Sequence, residues 1–496
     1  MVNTVVVGAG MGGLSAAIRL AAAGRQVVVL EQYAEPGGKV GQSAVGEMAF
    51  DTGPSLLTLP EVFDRVLRLA GTSLAEEVAL RCLSPSFRYI YPDGAVLDTY
   101  AELDATLESV GRALGARAQT ELAAFLTYAR RIWEASADNF VFCEAPSLSG
   151  ITKLGPRAWL SLPRIDAHRT MISAIRQRIK SPHLRSLLLR FATYNGSDPR
   201  RAPATLNCIA HVDLALGGHG VEGGLHALAQ AFFRVAQRLG VTFRFCSPVE
   251  RIIAGSGANR FEVVSNGDRF SADQVVVNAD VAHLAETLLI APGEKPKVST
   301  PFSTSGICAV FRAESRAERA AHTVIFPECY EDEFSDLFDA QRIPRQPTVY
   351  LCDQARAHGR IEVEGAVPVF AMINAPSVTR EQENEASLEL PSALARLRER
   401  AVSVGALGIK DDMVWHRGHV DLARRYPGSR GAIYGAASND ALSAFRRPPN
   451  RVPNMPGLYL ASGSAHPGGG VPMCVQSGLL AAECALADAE GFKRFR

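Results

Sequence analysis

The sequence lacks paired cysteines. Its nine (Cys82, Cys143, Cys208, Cys246, Cys308, Cys329, Cys352, Cys474 and Cys484) are odd in number and scattered, with no CxxC. That excludes a disulfide framework or a thiolate zinc site and predicts reduced thiols in a cytoplasmic protein. His416 and His419 form an HxxH with Asp421 nearby, which matches no familiar ligand spacing, so no metal is expected. A charge imbalance is also missing. The 52 Lys+Arg and 51 Asp+Glu leave a formal net charge of +1, so nucleic acid is not expected as a partner. No apolar run reaches about 18 residues without a charge, so no spanning helix is predicted. Residues 5–24 are small and apolar, but no basic segment precedes them and Arg19 interrupts them, unlike a secretory leader. Neither an internal repeat nor a low-complexity segment is present.

The informative segment starts at Val5. Val5 to Val7 reads as a buried parallel strand that runs into Gly8-x-Gly10-x-x-Gly13. Leu14 to Ala23 reads as a helix stopped by Gly24. Gln26 to Leu30 reads as a second strand ending in Glu31. This is a βαβ unit with a dinucleotide fingerprint at its first turn. Gly8 allows the tight turn, Gly10 lets a pyrophosphate approach the backbone, and Gly13 lets helix and strand pack closely. The helix N-terminus offers free N–H groups to phosphates. Glu31 suits a ribose diol and disfavours a 2′-phosphate, which points to FAD or NAD over NADP.

The nucleotide-binding pattern returns twice. Gly223-Gly224-Leu225 opens a helical stretch to Leu239, followed by strand-like runs at 241–245, 248–253, 261–265 and 274–278. Gly457 to Ala461 reads as a strand, followed by a glycine-rich loop and a helix from Val475 to Asp488. Between these returns, residues 101–214 are helical in pattern, with Leu, Ala and Arg at 3–4 spacing through Leu107 to Ala129. Strand-like runs occur at 307–311, 348–352 and 367–373, and a helix is expected from Leu388 to Val404. The expected fold class is α/β: a discontinuous Rossmann-type domain with an inserted α+β domain, a sheet plus covering helices. Residues 1–100, 215–290 and 430–496 are assigned to the cofactor domain. Residues 101–214 and 291–429 are assigned to a substrate- and membrane-facing domain.

Two further loops carry chemistry. Glu35-Pro36-Gly37-Gly38-Lys39 follows the second strand, where a glycine pair permits a turn against a flat or charged ligand and Lys39 can meet a phosphate or an anionic flavin. Gly463-Ser464-Ala465-His466-Pro467-Gly468-Gly469-Gly470-Val471-Pro472-Met473 has to pass close to something. Pro472 suits the first turn of a helix, whose N-terminus favours negative charge.

Together these motifs resemble the phytoene desaturase family of FAD-dependent carotenoid desaturases and related isomerases. The residues carrying the resemblance are Val5 to Gly13, Glu31, Gly37-Gly38-Lys39, Asp51-Thr52-Gly53-Pro54-Ser55, Ala279-Asp280, and Leu458-Tyr459-Leu460 through His466-Pro467 to Val471-Pro472. They span essentially the whole chain. Val471-Pro472-Met473, Pro92-Asp93-Gly94 with Leu97-Asp98, Trp133-Glu134-Ala135 and Ala192-Thr193-Tyr194-Asn195-Gly196 look more like the carotenoid 3,4-desaturase (hydroxy- or methoxyneurosporene dehydrogenase) branch. The chain departs from the wider FAD superfamily at Gly463-Ser464, where many members carry an Asp for the ribitol. Backbone N–H groups or Ser464 would serve instead.

The resemblance implies one non-covalent FAD and dehydrogenation of an acyclic carotenoid by hydride transfer to the flavin N5. The 3,4 position of a 1-hydroxy or 1-methoxy carotenoid is expected. The cofactor-binding residues it implies are Gly8, Gly10, Gly12, Gly13, Glu31, Gly38, Lys39, Ser55, Val249, Gly463, Ser464, Val471, Pro472 and Met473. No catalytic residue is assigned; His466 reads equally as a proton acceptor or as a loop histidine satisfied by backbone. A forty-carbon polyene at ~0.8 kcal/mol per CH₂ carries a gross transfer energy on the order of tens of kcal/mol, so it is not free in water. Peripheral contact with the inner membrane is therefore expected. The face proposed for it is Trp159-Leu160-Ser161-Leu162-Pro163-Arg164 with Lys153, Arg157, Arg176, Arg178 and Lys180. A solvated basic helix face with a core Trp is the plainer reading of those residues. Three other functions remain open: phytoene desaturation or carotenoid isomerisation or saturation within the family, flavin oxidation of an amine or porphyrinogen, and non-enzymatic prenyl-protein escort. With three tryptophans there is no obvious aromatic cage for an amine. The intact glycines and Glu31 argue against an escort that does without flavin.

Overall fold

In the computed structural model, residues 3–145, 162–255, 260–291 and 295–493 are described. The β-branched runs read from the sequence become a five-stranded, all-parallel sheet. Its strand order is Leu458–Leu460, Gln274–Val277, Asn3–Val7, Gln26–Leu30 and Thr242–Arg244. The central strand pairs Val6 with Val29 on one side and Val276 on the other. Parallel strands are buried on both faces, which is why they read as continuous Val and Leu rather than as alternation. One face packs against the helices Met11–Ala22, Leu225–Arg238 and Val471–Lys493 through Leu14, Ile18, Phe232 and Leu479. On the other face lies a four-stranded sheet built from Val249–Ala254, Phe261–Ser265, Asp268–Ala272 and Leu289–Ile290.

A seven-stranded sheet forms the second layer system. Its order is Asp412–Arg417, Ser305–Glu314, Ala366–Ala375, Val349–Asp353, His322–Ile325, Phe87–Ile90 and Val96–Thr99. One part of its surface is covered by Glu383–Ser403 through Leu394 and Leu397. Another is covered by Ala116–Ser136 and Pro182–Arg190 through Phe125, Leu184 and Leu188.

Several boundaries differ from the sequence expectation, each for a local reason. The hairpin at 87–99, turning at Pro92-Asp93-Gly94, joins the seven-stranded sheet by parallel pairing with His322–Ile325. It therefore does not sit with the rest of residues 1–100. The helical pattern of 107–129 is two helices, Leu103–Leu114 and Ala116–Ser136, because Gly115 takes φ +92 between them. The first helix starts at Met11 and takes Gly12 and Gly13 into its first turn. A Cβ on Gly13 would lie 2.0 Å from the Gly8 carbonyl oxygen, so only glycine permits this close entry. The last helix starts at Val471 rather than Val475, with Pro472 in its first turn.

Candidate functional site

A single cavity of about 730 Å³ runs from the βαβ turn to the inner face of the seven-stranded sheet. Of the fourteen residues expected at a cofactor site, thirteen line it. Gly13 does not, because its part is to let helix meet strand.

At one end, Gly10 caps the first helix with φ −71 and ψ 174, and its carbonyl accepts from Leu14 N. Glu31 ends the second strand, 5% exposed. Its carboxylate accepts from Ala9 N (2.6 Å) and Tyr33 N (2.9 Å). Burial raises its pKa, and the backbone N–H groups oppose that rise. Fixed by two donors, it retains lone pairs for a third. Gly37 N donates to Ala9 O at 2.8 Å, which lays the 37–39 turn against the fingerprint. Lys39 Nζ donates to the carbonyls of Ala432 (3.0 Å) and Ile433 (3.2 Å). Its pKa is lowered by burial, opposed by Asp280. The Lys39 ammonium thus braces the 432–433 segment against the cavity.

The glycine-rich loop closes the middle. A Cβ on Gly469 would lie 2.4 Å from Tyr434 Cα, and one on Gly435 would lie 2.7 Å from Ser464 Cα. The two segments therefore interlock through glycine. Ser464 Oγ accepts from Val281 N (2.9 Å) and shares a hydrogen bond with Ser462 Oγ (2.9 Å).

His466 is buried and does not line the cavity. Its Nε2 meets Cys143 O at 2.9 Å, and burial lowers its pKa to about 4. It is the backbone-satisfied histidine of the plainer reading. A neutral group of this kind contributes no ionisation near pH 6–7. The pH–rate profile of His466→Gln is expected to keep the parent's shape in that range; loss of a limb there would return His466 to the chemistry.

One cavity residue, Asn278, carried no sequence signal of its own, and Asp280 entered only with the resemblance. Asn278 ends its strand and donates Nδ2 to Ala461 O, which aims Oδ1 at Gly10. Asp280 Oδ1 caps Ala282 N at 2.9 Å. The strand's end at 278–280 was legible from its apolar run, but the side-chain roles depend on Ala461, which is remote in sequence. Of the basic residues expected to face lipid, Arg176 pairs with Glu331 (2.6 Å), and Arg178 lies 3.9 Å over the Tyr128 ring. Trp159, Leu160, Ser161, Lys153 and Arg157 lie outside the described residues.

These residues fit a flavin dinucleotide. A Cβ on Gly10 would lie 2.5 Å from Asn278 Oδ1, so only glycine fits beside that amide at the cavity wall. A Cβ on Gly470 (φ +100) would meet nothing within 4 Å. The buried Ser55 Oγ has no hydrogen-bond partner among the described residues, and Ser55 lines the same cavity.

Residues 11–317 match the family model for flavin-containing amine oxidoreductases, which sets the class: a flavin-dependent oxidoreductase. Over its whole length the chain is 33% identical to a hydroxyneurosporene desaturase of Rubrivivax gelatinosus, covering 95% of that protein. It is 28% identical to a 1-hydroxycarotenoid 3,4-desaturase of Flavobacterium sp. over 97% of this chain and 99% of that one. The chain belongs to the carotenoid desaturase family. An oxidoreductase structure from Methanosarcina mazei superposes with a TM-score of 0.64 at 16% identity, over 97% of this chain and all of that one. A putrescine oxidase bound to putrescine superposes with a TM-score of 0.59 at 17% identity, over 98% and 99%. Both likenesses are of fold.

Proposed function

We propose that this protein binds one FAD and removes two hydrogens from an acyclic carotenoid, at the 3,4 bond of a 1-hydroxy or 1-methoxy substrate. The observation that carries this reading is the continuity of the cavity. Dinucleotide-type residues (Gly8, Gly10, Glu31) and apolar wall residues from the helices and the large sheet (Leu56, Leu206, Ile209, Phe370) line one space. A buried polyene needs such a channel to open directly onto its oxidant. Bound FAD supplies a two-electron acceptor for hydrogen removal beside a polyene.

The chain's residues do the rest. The N-terminus of the first helix and Gly10 receive the pyrophosphate, and Glu31 takes the ribose diol. Ser55, Val249, Gly463 and Ser464 hold the remainder. The apolar walls exclude water, so positive charge developing next to the polyene meets no bulk nucleophile. The polyene's own delocalisation reduces the need for an acid–base pair. We assign residues 1–86, 215–290 and 430–493 to the cofactor unit, with the 87–99 hairpin joining the substrate unit. Among the described residues no helix is long and apolar enough to cross a membrane; a carotenoid would be drawn from a bilayer by peripheral contact.

The test is incubation of flavin-loaded enzyme with carotenoids in liposomes, followed by chromatography and mass measurement. Loss of two hydrogens from a hydroxylated carotenoid is the expected result. Desaturation of phytoene alone would keep the family and overturn the 3,4 assignment. Turnover of a soluble amine with no carotenoid change would overturn the reading.

The helix starting at Val471 presents its N-terminus to the cavity through Val471, Pro472 and Met473. A carboxylate at Met473 would oppose the negative charge that this end favours. Met473→Glu is therefore expected to lower the flavin reduction potential by roughly tens of millivolts, read by spectroscopic redox titration. An unchanged or raised potential with flavin bound would sink the idea.

A further inference from the structure

The cavity wall opposite the glycines holds a charge that the reaction above does not use. Arg190 ends the helix Pro182–Arg190 and is 8% exposed. Its guanidinium has one hydrogen bond, to the Tyr194 hydroxyl (3.0 Å), and no ion-pair partner among the described residues. Aromatic rings surround it: Tyr194 at 5.0 Å, Phe87 at 5.4 Å and Tyr350 at 5.8 Å from ring centroids. Asp213, on the helix Cys208–Leu214, is also 8% exposed. Its Oδ2 has no hydrogen-bond partner among the described residues. Both residues line the cavity.

A buried cation and a buried carboxylate oxygen, each incompletely satisfied, are costly in an apolar wall unless something completes them. Neither reduces to the cofactor cradle. Arg190 and Asp213 attract each other beside Tyr194, but a hydrocarbon would leave Asp213 Oδ2 and the remaining guanidinium N–H groups without partners, whereas a hydroxyl can accept from one and donate to the other.

We propose that Arg190 and Asp213 bind the terminal oxygen of the carotenoid, with the guanidinium donating to that oxygen and Asp213 Oδ2 accepting from its hydrogen where it is a hydroxyl. The inference rests on the carotenoid reading above. Tyr194 holds the guanidinium in place, and Phe87 and Tyr350 flank it. The site also borders the glycine-rich loop. Asn195, next to Tyr194, lies 3.4 Å from Arg447, and the Arg447 guanidinium packs against Gly468. An oxygen on C1 is only three bonds from C3. Holding it here sets by bond count which CH–CH bond reaches the oxidant. A methoxyl oxygen accepts but cannot donate, so it would use Arg190 alone.

The experiment compares flavin-loaded enzyme on neurosporene, 1-hydroxyneurosporene and 1-methoxyneurosporene in liposomes, taking kcat and KM separately. The parent protein is expected to favour the hydroxylated over the plain substrate by roughly ten- to hundred-fold in kcat/KM. In Arg190→Met that ratio is expected to fall toward one. In Asp213→Leu the hydroxylated substrate is expected to lose its advantage over the methoxylated one. Flavin absorbance and unfolding temperature establish that each variant is folded, and the parent's own preference tests the site even where a variant does not fold. Equal turnover of plain and hydroxylated substrates by the parent would overturn the oxygen site and leave the desaturase reading standing. A ratio unchanged in folded Arg190→Met would also overturn it. No carotenoid turnover by the parent would overturn the desaturase reading itself.

Discussion

Gly10→Val is expected to give protein that purifies with flavin occupancy at least about tenfold below the parent. A Cβ at this position would lie 2.5 Å from Asn278 Oδ1. Asn278 has no room to retreat, because its Nδ2 is tied to Ala461 O across the sheet. The isopropyl group therefore forces the Asn278 amide or the Gly10 backbone to shift at the turn proposed to receive the pyrophosphate. The ratio of visible flavin absorbance to protein absorbance measures the outcome. Full occupancy in the variant would refute the placement of the pyrophosphate at Gly10.

Asp51→Ala is expected to destabilise the folded protein by about 3–5 kcal/mol, the range for breaking a buried ion pair. Asp51 Oδ1 accepts from Arg360 Nη2 (2.8 Å), and both partners are nearly sealed from solvent, with side-chain exposures of 2% and 11%. Oδ2 accepts from Leu225 N (2.6 Å) at the start of the helix Leu225–Arg238. The backbone of Asp51 exchanges two further hydrogen bonds with the Gln354 amide (2.8 and 3.0 Å). One carboxylate thus joins three segments that lie far apart in the chain. Removing it strands a buried guanidinium and a helix-end N–H together. Chemical denaturation of parent and variant measures the difference; a loss below about 1 kcal/mol would show that the Arg360 pair contributes little.

The pieces of this molecule that were legible in the sequence are those dictated by neighbours in the chain. The βαβ turn depends on glycines at short spacing. Parallel strands depend on β-branched runs, and the last helix depends on Pro472 after a glycine run. What escaped is set by tertiary contact. Asp51-Thr52-Gly53 entered only as part of the resemblance, whereas its acid is a junction defined by Arg360 and Leu225. Lys39 read as a partner for a phosphate or an anionic flavin; that its ammonium also meets two carbonyls at 432–433 was not legible. Arg190 and Asp213 gave no pattern, because their meeting depends on two helices whose packing no local spacing encodes. The hairpin at 87–99 read as part of the first domain simply because it precedes residue 100. Its sheet is decided by His322–Ile325.

The central parallel sheet has a consequence for how the protein is made. Asn3–Val7 leaves the ribosome long before Leu458–Leu460, which lies at the end of the same sheet. The first helix is clasped by the final one through Ser15 Oγ donating to Val475 O (2.7 Å) and the Arg19–Glu483 pair (2.7 Å). At ordinary rates of synthesis the early strand and its glycine turn wait on the order of tens of seconds for these partners. Until then the nascent chain carries an apolar strand and an unfinished binding cleft, exposed to misassociation. A chain that stops short of the final helix lacks Val471, Pro472 and Met473 of the cavity lining and is expected to retain flavin poorly.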